Sequence, residues 1–360
     1  MPLHPLYGHE GIRNRLAGAI ASGRLPQALL FEGPRGVGKQ RLALWVGQLL
    51  LCERRGEQEP CGQCRSCRLA LALQHPDLHW FVPVEVSRRG ADADKQVDLV
   101  EEALGEAMAA RRSQPLHEAT SGLASHGIAS VRLLLRRLAL SPAMGPRKVF
   151  VVGDAERLVP QQGAEAAANA LLKALEEPPA STVFLLTASE PEALLPTILS
   201  RVVRVRLARL PDSVVASFAQ NELKNGGRTA KLQKMVEAAE GCIGRLLATS
   251  GAQSEGGADS YLAALRSDAT SRYAYALGQP AYQARGAFTA MLDELLDRLR
   301  REVRQEKEGR SGERGVRTGK LVEALARVLD AREMAQGNVN PQLLAAVLSV
   351  DLVDGGVGAQ

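Results

Sequence analysis

A chain of 360 residues has room for two or three domains, and its 45% hydrophobic residues are enough to fill ordinary cores. No apolar run approaches the roughly 18 residues of a membrane span, and the start MPLHPLYGHE lacks the features of a signal peptide, so we expect a cytoplasmic protein without membrane contacts. The net charge of +5, from 45 basic and 40 acidic residues, permits nucleic-acid contacts without indicating them, and 4% aromatic residues disfavour a base-stacking surface.

A glycine-rich loop is the first motif along the chain. A predicted strand over residues 28–31 leads into GPRGVGKQ, residues 33–40, and an apolar-periodic helix follows over residues 41–51. This is the context of a phosphate-binding loop G-x-x-x-x-G-K, in which glycine N–H groups and a lysine bind phosphate oxygens. The candidate nucleotide-binding residues are Gly33, Gly36, Gly38 and Lys39. Gln40 stands where Ser or Thr ligates Mg²⁺, so the motif leaves binding of ATP or ADP open and argues against hydrolysis.

Four cysteines follow this helix with the spacing C-x8-C-x2-C-x2-C. They are Cys52, Cys61, Cys64 and Cys67. Four thiolates are the ligand set of a closed, structural Zn²⁺ site, and a cytoplasmic location disfavours disulfides. Reduced free thiols are one alternative, and replacement of one thiolate ligand by His75 or His79 is another. Cys242 is left over, and we expect it to be a buried thiol.

Strands and helices alternate in the next part of the chain. Strands are predicted over residues 149–152 and 183–187, with an Ala- and Leu-rich helix over residues 164–175 between them. This alternation predicts a mostly parallel sheet covered on both faces. Residues 87–127 are polar and irregular, and we expect an insertion or mobile loop with a short amphipathic helix at about residues 97–108.

The second predicted strand ends in Gly153 and Asp154, where a metal-dependent hydrolase would carry two carboxylates. Asp154 by itself is equally compatible with a cap of the following turn. Taken with Gln40, however, the two departures affect the same Mg²⁺ ion, which argues against a competent ATPase.

The remainder of the chain is predicted to be helical. Short helices are expected over residues 214–223, 230–240 and 243–249, and they would form a small domain. The sequence GAQSEGG is the best linker candidate. Longer helices are predicted over residues 261–277, 283–304, 321–336 and 342–352, with a charged break at residues 305–319.

Two arginine features allow more than one interpretation. Arg201 ends the sequence LLPTILSR, and from the residue alone a solvated side chain is the simpler interpretation, while an arginine finger reaching a neighbouring subunit's nucleotide is the other. The helix SVRLLLRRLAL carries Arg132, Arg136 and Arg137, which raises the hypothesis of a zinc-bearing nucleic-acid-binding module; we favour a solvated helix face.

Longer stretches of sequence resemble a known family. Residues 148–201, which include NALLKALEEPP and LLPTILSR, resemble the core of bacterial clamp-loader subunits of the AAA+ superfamily. The cysteine spacing followed by HPD, the sequence IASVR at residues 128–132 and NVNPQL at residues 338–343 extend the resemblance to nearly the whole chain apart from residues 87–127. The family's gamma or tau motor subunits keep Ser or Thr after the lysine and Asp-Glu on the second strand. At Gln40 and Gly153 this chain is instead similar to the non-hydrolysing delta prime type of DNA polymerase III.

The resemblance implies a fold class: an α/β AAA+ core of the P-loop type, with a mostly parallel sheet and an inserted zinc module, followed by a small helical lid domain and a C-terminal all-helical domain. The implied boundaries are residues 1–208 for the core, with the zinc module at about 52–67 and the variable insertion at about 87–127, then 209–250 for the lid, 251–257 for the linker and 258–360 for a C-terminal collar domain that mediates oligomerisation.

The resemblance also implies roles and partners. Arg201 would be an arginine finger acting in trans, the four cysteines would bind zinc, and the phosphate loop would be vestigial. The chain would be a stator without ATPase activity of its own, in a hetero-oligomeric ring with gamma/tau motor subunits and the delta subunit, and through that complex it would serve the sliding clamp and primed DNA in the DNA-directed DNA polymerase III holoenzyme. An active AAA+ ATPase of the gamma/tau type is the alternative.

Three positions depart from the family pattern. Val202 replaces the cysteine of a Ser-Arg-Cys motif, and we expect it to be a packing residue. Ala188 holds a polar sensor position, with Ser189 beside it. Gly244 stands where active relatives carry a nucleotide-sensing arginine, and Arg245 lies one position further on.

Overall fold

The computed structural model describes residues 3–54, 56, 58–86, 92–115, 124–159, 165–223, 229–251, 257–280, 288–308, 314–336 and 339–354. The described residues divide into two compact units, one that ends at residue 251 and one that begins at residue 257. Within the described residues no helix is both long and apolar enough to cross a membrane.

Five parallel strands form one sheet in the first unit, in the order β2-β3-β4-β1-β5. The strands are β1 (Ala28–Glu32), β2 (Leu78–Phe81), β3 (Lys148–Val152), β4 (Thr182–Ala188) and β5 (Val203–Arg206). The three central strands are almost wholly buried, as expected for a parallel sheet with helices on both faces. The predicted parallel sheet is confirmed. Sequence analysis missed the edge strands because LHWF and VRVR are short, partly exposed and lack a continuous apolar run.

Alternate residues along each strand face two separate cores. Leu29 and Phe31 of β1 join one core, and Leu30 joins the other. Up to residue 199 the described residues form the helices α1 (Glu10–Ala21), α2 (Lys39–Leu51), α3 (Arg65–Leu71), α4 (Ala93–Ser113), α5 (Ile128–Ala139), α6 (Ala166–Glu176) and α7 (Pro196–Leu199). Buried residues of α1 and α2 contribute to the first core and those of α4, α5 and α6 to the second, so the sheet is covered on both faces.

Helix α4 corrects the prediction of an irregular segment at residues 87–127. It has 21 residues rather than the short helix expected, and its N-terminus is capped by Asp92, whose side chain accepts a hydrogen bond from the N–H of Lys95 at 2.8 Å. Its buried residues are Val97, Val100 and Leu104. These three positions span only part of the helix, so the apolar periodicity of the sequence does not predict its full length. Residues 87–91 and 116–123 of the predicted insertion lie outside the described residues.

Three short helices follow the sheet, α8 (Asp212–Glu222), α9 (Thr229–Ala239) and α10 (Ile243–Gly251), and each agrees within a few residues with the predicted helix. They enclose a small core that includes Val215, Phe218 and Leu246. These helices lie in the same compact unit as the sheet.

The second unit is helical in its described part. Its helices are α11 (Gly257–Arg266), α12 (Ala269–Leu277), α13 (Thr289–Glu308), α14 (Arg314–Gln336) and α15 (Pro341–Asp354). The single helix predicted over residues 261–277 is two helices, because Asp268 caps a new one by accepting a hydrogen bond from the N–H of Ser271 at 2.9 Å. Helices α13 and α14 both extend into the predicted charged break. Of the predicted linker at 251–257, residues 252–256 lie outside the described residues.

Candidate nucleotide site and metal centre

The phosphate loop lies between β1 and α2, at the edge of the sheet where the central strands end. Glu32, the last residue of β1, is in register with Ala188 at the end of β4, and the N–H of Gly33 donates to the carbonyl of Ala188 at 3.3 Å. β3 ends beside β4, so Gly153 and Asp154 follow at the same edge. Ligands of open parallel sheets bind outside the carboxyl ends of the strands, so the fold puts the loop where a nucleotide would bind.

Lys39 is buried and held by three oxygen atoms. Its Nζ donates to the carbonyls of Gly33 and Pro34 at 2.8 and 2.9 Å, and to the Ser189 hydroxyl at 2.8 Å. Burial lowers the pKa of Lys39, and the carboxylates of Glu156 and Asp154 oppose that shift. Sequence analysis noted Ser189 only as the neighbour of Ala188, whereas the structure shows that its side chain contacts the loop lysine.

Glu156 is a site residue that sequence analysis missed. It lies in the 3₁₀ turn Ala155–Leu158, and its Oε1 accepts a hydrogen bond from the N–H of Ser189 at 3.0 Å. Its Oε2 is buried and has no hydrogen-bond partner within the described part of the chain. Burial and then the charge of Asp154 raise the pKa of Glu156 to about 7, while Lys39 acts in the opposite direction. An acid two residues beyond Asp154 was visible in the sequence, but only the fold shows that it is buried beside Lys39.

Gln40 and Gly153, the two departures from the pattern of a hydrolase, lie close together in the structure. A Cβ atom added to Gly153 would lie 3.0 Å from Gln40 Cδ and 3.1 Å from its Nε2 and Oε1. The carboxamide of Gln40 therefore fills the space that a side chain at position 153 would enter. These two residues do not fit the hydroxyl and carboxylate ligands of a nucleotide-bound Mg²⁺.

The helix α10 touches the phosphate loop through two glycines. The N–H of Gly244 donates to the carbonyl of Gly36 at 2.9 Å, and a Cβ on Gly244 would lie only 2.6 Å from the Gly36 Cα. Gly36 has a φ of +80°, a conformation that favours glycine. Arg245 forms an ion pair with Glu240 at 2.8 Å. Gly244 therefore permits backbone contact between α10 and the loop at the position where active relatives would have an arginine.

Arg201 follows α7 and is partly exposed. Its Nη1 donates to the carbonyl of Thr197 at 2.8 Å and contacts Ser200 Oγ at 3.1 Å, and its Nη2 forms an ion pair with Glu176 of α6. Val202 beside it is buried, as expected of a packing residue.

The four cysteines come together, so the predicted ligand set forms one cluster. Cys52, Cys61, Cys64 and Cys67 place their Sγ atoms within 4.8 Å of one another. The Cys52–Cys64 and Cys61–Cys67 sulfur distances are 4.0 and 3.9 Å, close to the edge of about 3.8 Å that a tetrahedron with Zn–S bonds of about 2.3 Å requires. The cluster could hold a metal ion. Hydrogen bonds from the backbone N–H groups of Cys64 and Gln63 lower the pKa of Cys61 to about 6, which favours the thiolate form.

The two histidines considered as replacement ligands have other contacts. His75 Nδ1 accepts a hydrogen bond from the N–H of Asp77 at 3.0 Å, and the ring of His79 stacks on Phe150 with 4.8 Å between centroids. Asp77 in turn is buried and accepts hydrogen bonds from three successive backbone N–H groups at residues 143–145. The HPD sequence therefore stabilises the turn before β3. Cys242 is fully buried, as expected.

The basic residues of α5 are largely paired with α4. Arg136 forms an ion pair with Asp94 at 2.5 Å, and Arg137 pairs with Glu101 at 2.7 Å, whereas Arg132 is exposed. Two of the three arginines considered for nucleic-acid binding thus face acidic partners, and this agrees with the solvated helix face that we favoured.

The fold and this loop define an α/β domain of the P-loop type with a parallel sheet and a cysteine cluster that could hold a metal ion, and the predicted fold class is confirmed in these features. The family model for DNA polymerase III, delta subunit matches residues 8–211, more than half of the chain, and the chain belongs to this family. The predicted resemblance to delta prime subunits is confirmed by the sequence relatives that follow.

The DNA polymerase III subunit delta' of Yersinia pestis is 34% identical over 201 residues, which are 56% of this chain and 47% of that protein. The DNA polymerase III subunit gamma/tau of Mycobacterium bovis is 31% identical over 204 residues, 57% of this chain and 28% of the relative. The matched region thus spans about half the length of the delta' relative. A gamma-subunit-related protein of DNA polymerase III from Thermotoga maritima covers 95% of this chain and 99% of its own, with 16% identity and a TM-score of 0.43.

Proposed function

We propose that this chain is a clamp-loader subunit of the delta prime type that does not hydrolyse ATP and that contributes Arg201 to ATP bound by a neighbouring motor subunit. The contact between Gln40 and Gly153 carries the first part of this proposal. Mg²⁺ bridges the β- and γ-phosphate oxygens in phosphoryl transfer, and here the two positions that should ligate it present a carboxamide and a glycine. Lys39 is still present in the loop. The proposal therefore excludes hydrolysis of ATP but not binding of ATP or ADP, which is measured separately.

Two assays test whether the purified chain hydrolyses ATP or only binds it. The first measures phosphate release in the presence of ATP and Mg²⁺, and the second measures equilibrium binding of ATP and ADP. We expect no release above background, and we expect Lys39→Ala to change nothing in that assay. Turnover that Lys39→Ala abolishes would support the active-ATPase alternative instead.

The position of Arg201 supports the second part of the proposal. The residue lies at the protein surface just before the edge strand β5, with its guanidinium partly exposed. An arginine that reaches the γ-phosphate from a neighbour is worth about 10³ to 10⁵ in rate in nucleotide hydrolases. In a complex reconstituted with motor subunits, Arg201→Ala should lower DNA-stimulated hydrolysis and leave assembly intact; unchanged hydrolysis would refute the assignment.

We propose Zn²⁺ as the ion of the cysteine cluster. Four thiolates whose sulfur atoms all lie within 4.8 Å of one another suit a tetrahedral d¹⁰ ion, and a closed site of this kind has a structural role. Elemental analysis of the purified chain should give one zinc per chain.

An apolar stripe supports assembly into a ring with gamma/tau and delta subunits. Leu343, Val347 and Val350 lie at i, i+4 and i+7 on α15 and are 62, 49 and 44% exposed. Three large aliphatic side chains on one exposed helix face are typical of an interaction surface. Val347→Asp should weaken association with motor subunits, and unchanged association would contradict this role of the stripe. We further propose that the ring acts in the cytoplasm on a sliding clamp and primed DNA.

A further inference from the structure

Glu176 is the one charged partner of the Arg201 side chain within the described residues. It is the last residue of α6, and its Oε1 forms an ion pair with Arg201 Nη2. The other two acceptors, the Thr197 carbonyl and the Ser200 hydroxyl, belong to the same turn as the arginine and contact Nη1. The carboxylate therefore ties the guanidinium to a helix that is packed into the core of the sheet domain.

The arrangement leaves part of the guanidinium available. Arginine has five N–H donors, and the three contacts to described residues use three of them, so two remain on Nε and Nη2. Two donors are what a bidentate contact with phosphate requires. The Arg201 side chain is 32% exposed while its ion pair with Glu176 is formed, so part of the side chain can be reached from solvent with the ion pair intact.

We propose that Glu176 is a positioning residue for Arg201: it holds the guanidinium in the orientation that is presented to the nucleotide of the neighbouring subunit. This inference rests on the proposed role of Arg201 in trans. A long arginine side chain loses conformational freedom when it engages a ligand, and a contact that orders it beforehand reduces that loss. Glu176 is 44% exposed, and an exposed ion pair corresponds to about 1.5- to 5-fold in an equilibrium, so the expected effect is of that size.

The test is Glu176→Gln in the complex reconstituted with motor subunits. DNA-stimulated kcat should fall by about 1.5- to 5-fold, with KM for ATP and assembly unchanged, because the variant changes only how the arginine is presented. Glu177→Gln is the matched control: it removes the same charge from the adjacent, exposed residue and should leave kcat unchanged. Equal kcat values for the two variants, or a rise in kcat with Glu176→Gln, would overturn the inference.

A double-mutant cycle separates this inference from the proposed function. If Glu176 acts through Arg201, Glu176→Gln should have no further effect in an Arg201→Ala background. An undiminished effect in that background would contradict positioning. If Arg201→Ala alone leaves hydrolysis unchanged, the proposed function is wrong, and the inference falls with it. If Arg201→Ala lowers hydrolysis but Glu176→Gln matches Glu177→Gln, only the inference is wrong.

Discussion

The contact between Gly244 and Gly36 predicts that any side chain at position 244 of α10 destabilises the protein. In Gly244→Ala the new Cβ would lie 2.6 Å from the Gly36 Cα, and backbone on both sides leaves no flexible atom to move. Overpacking of this kind costs about 1–3 kcal/mol. Replacing glycine by alanine within a helix also stabilises the helix by about 1 kcal/mol. The measured loss of stability in Gly244→Ala alone would therefore be smaller than the cost of the contact.

Gly18→Ala is the matched control, because Gly18 lies within α1 and a Cβ there meets nothing within 4 Å. The difference between the two variants isolates the contact and should be about 1–3 kcal/mol. By calorimetry each kcal/mol should lower Tm by about 2–4 °C in a unit of this size. Hydrogen exchange at the Gly244 amide should also become faster, since that N–H donates to Gly36. Equal Tm shifts for both variants would refute the reasoning.

Three further predictions concern Glu156, the cysteine cluster and Asp77. Glu156 has a folded-state pKa of about 7, above its ordinary 4.5, so the folded state holds the proton more tightly than the unfolded state. The free energy of unfolding should therefore fall by up to about 3 kcal/mol as pH rises from about 4.5 to 7. Glu156→Gln should flatten that pH dependence in denaturant titrations. Cys61→Ser should lose zinc and lower Tm, as should chelation of the wild type, whereas Cys242→Ala should keep zinc, both read by elemental analysis and calorimetry. Asp77→Asn should cost about 2–3 kcal/mol in the free energy of unfolding, because the amide cannot accept from all three N–H groups of residues 143–145; a loss under 0.5 kcal/mol would contradict this.

The parts of the fold that were predicted from sequence are those with a local signal. The three central strands are continuous apolar runs because they are buried on both faces, and the glycine loop has a fixed spacing. The four cysteines were predicted as one ligand set because their spacing alone limits their separation. Strand β5 was missed because an edge strand with three of its four residues exposed has no such run.

The parts that could not be predicted depend on contacts between distant segments. Gln40 and Gly153 were each identified as departures from a hydrolase, but only the structure shows that one fills the space left by the other. Gly244 was interpreted as the loss of an arginine, whereas the structure shows a glycine required by the closeness of Gly36. The ion pair between Arg201 and Glu176 joins the turn after α7 to the end of α6, and no spacing in the sequence indicates it.

The most direct test of the central claim is single-turnover ATP hydrolysis by a reconstituted, DNA-bound complex that contains either the wild-type chain or Arg201→Ala. If this chain supplies an arginine to a neighbour's ATP, the variant complex should assemble normally and lose the hydrolysis phase of the one adjacent site, by about 10³-fold or more at that site, with the other sites retained. The same set of phases and rates in both complexes would contradict the account.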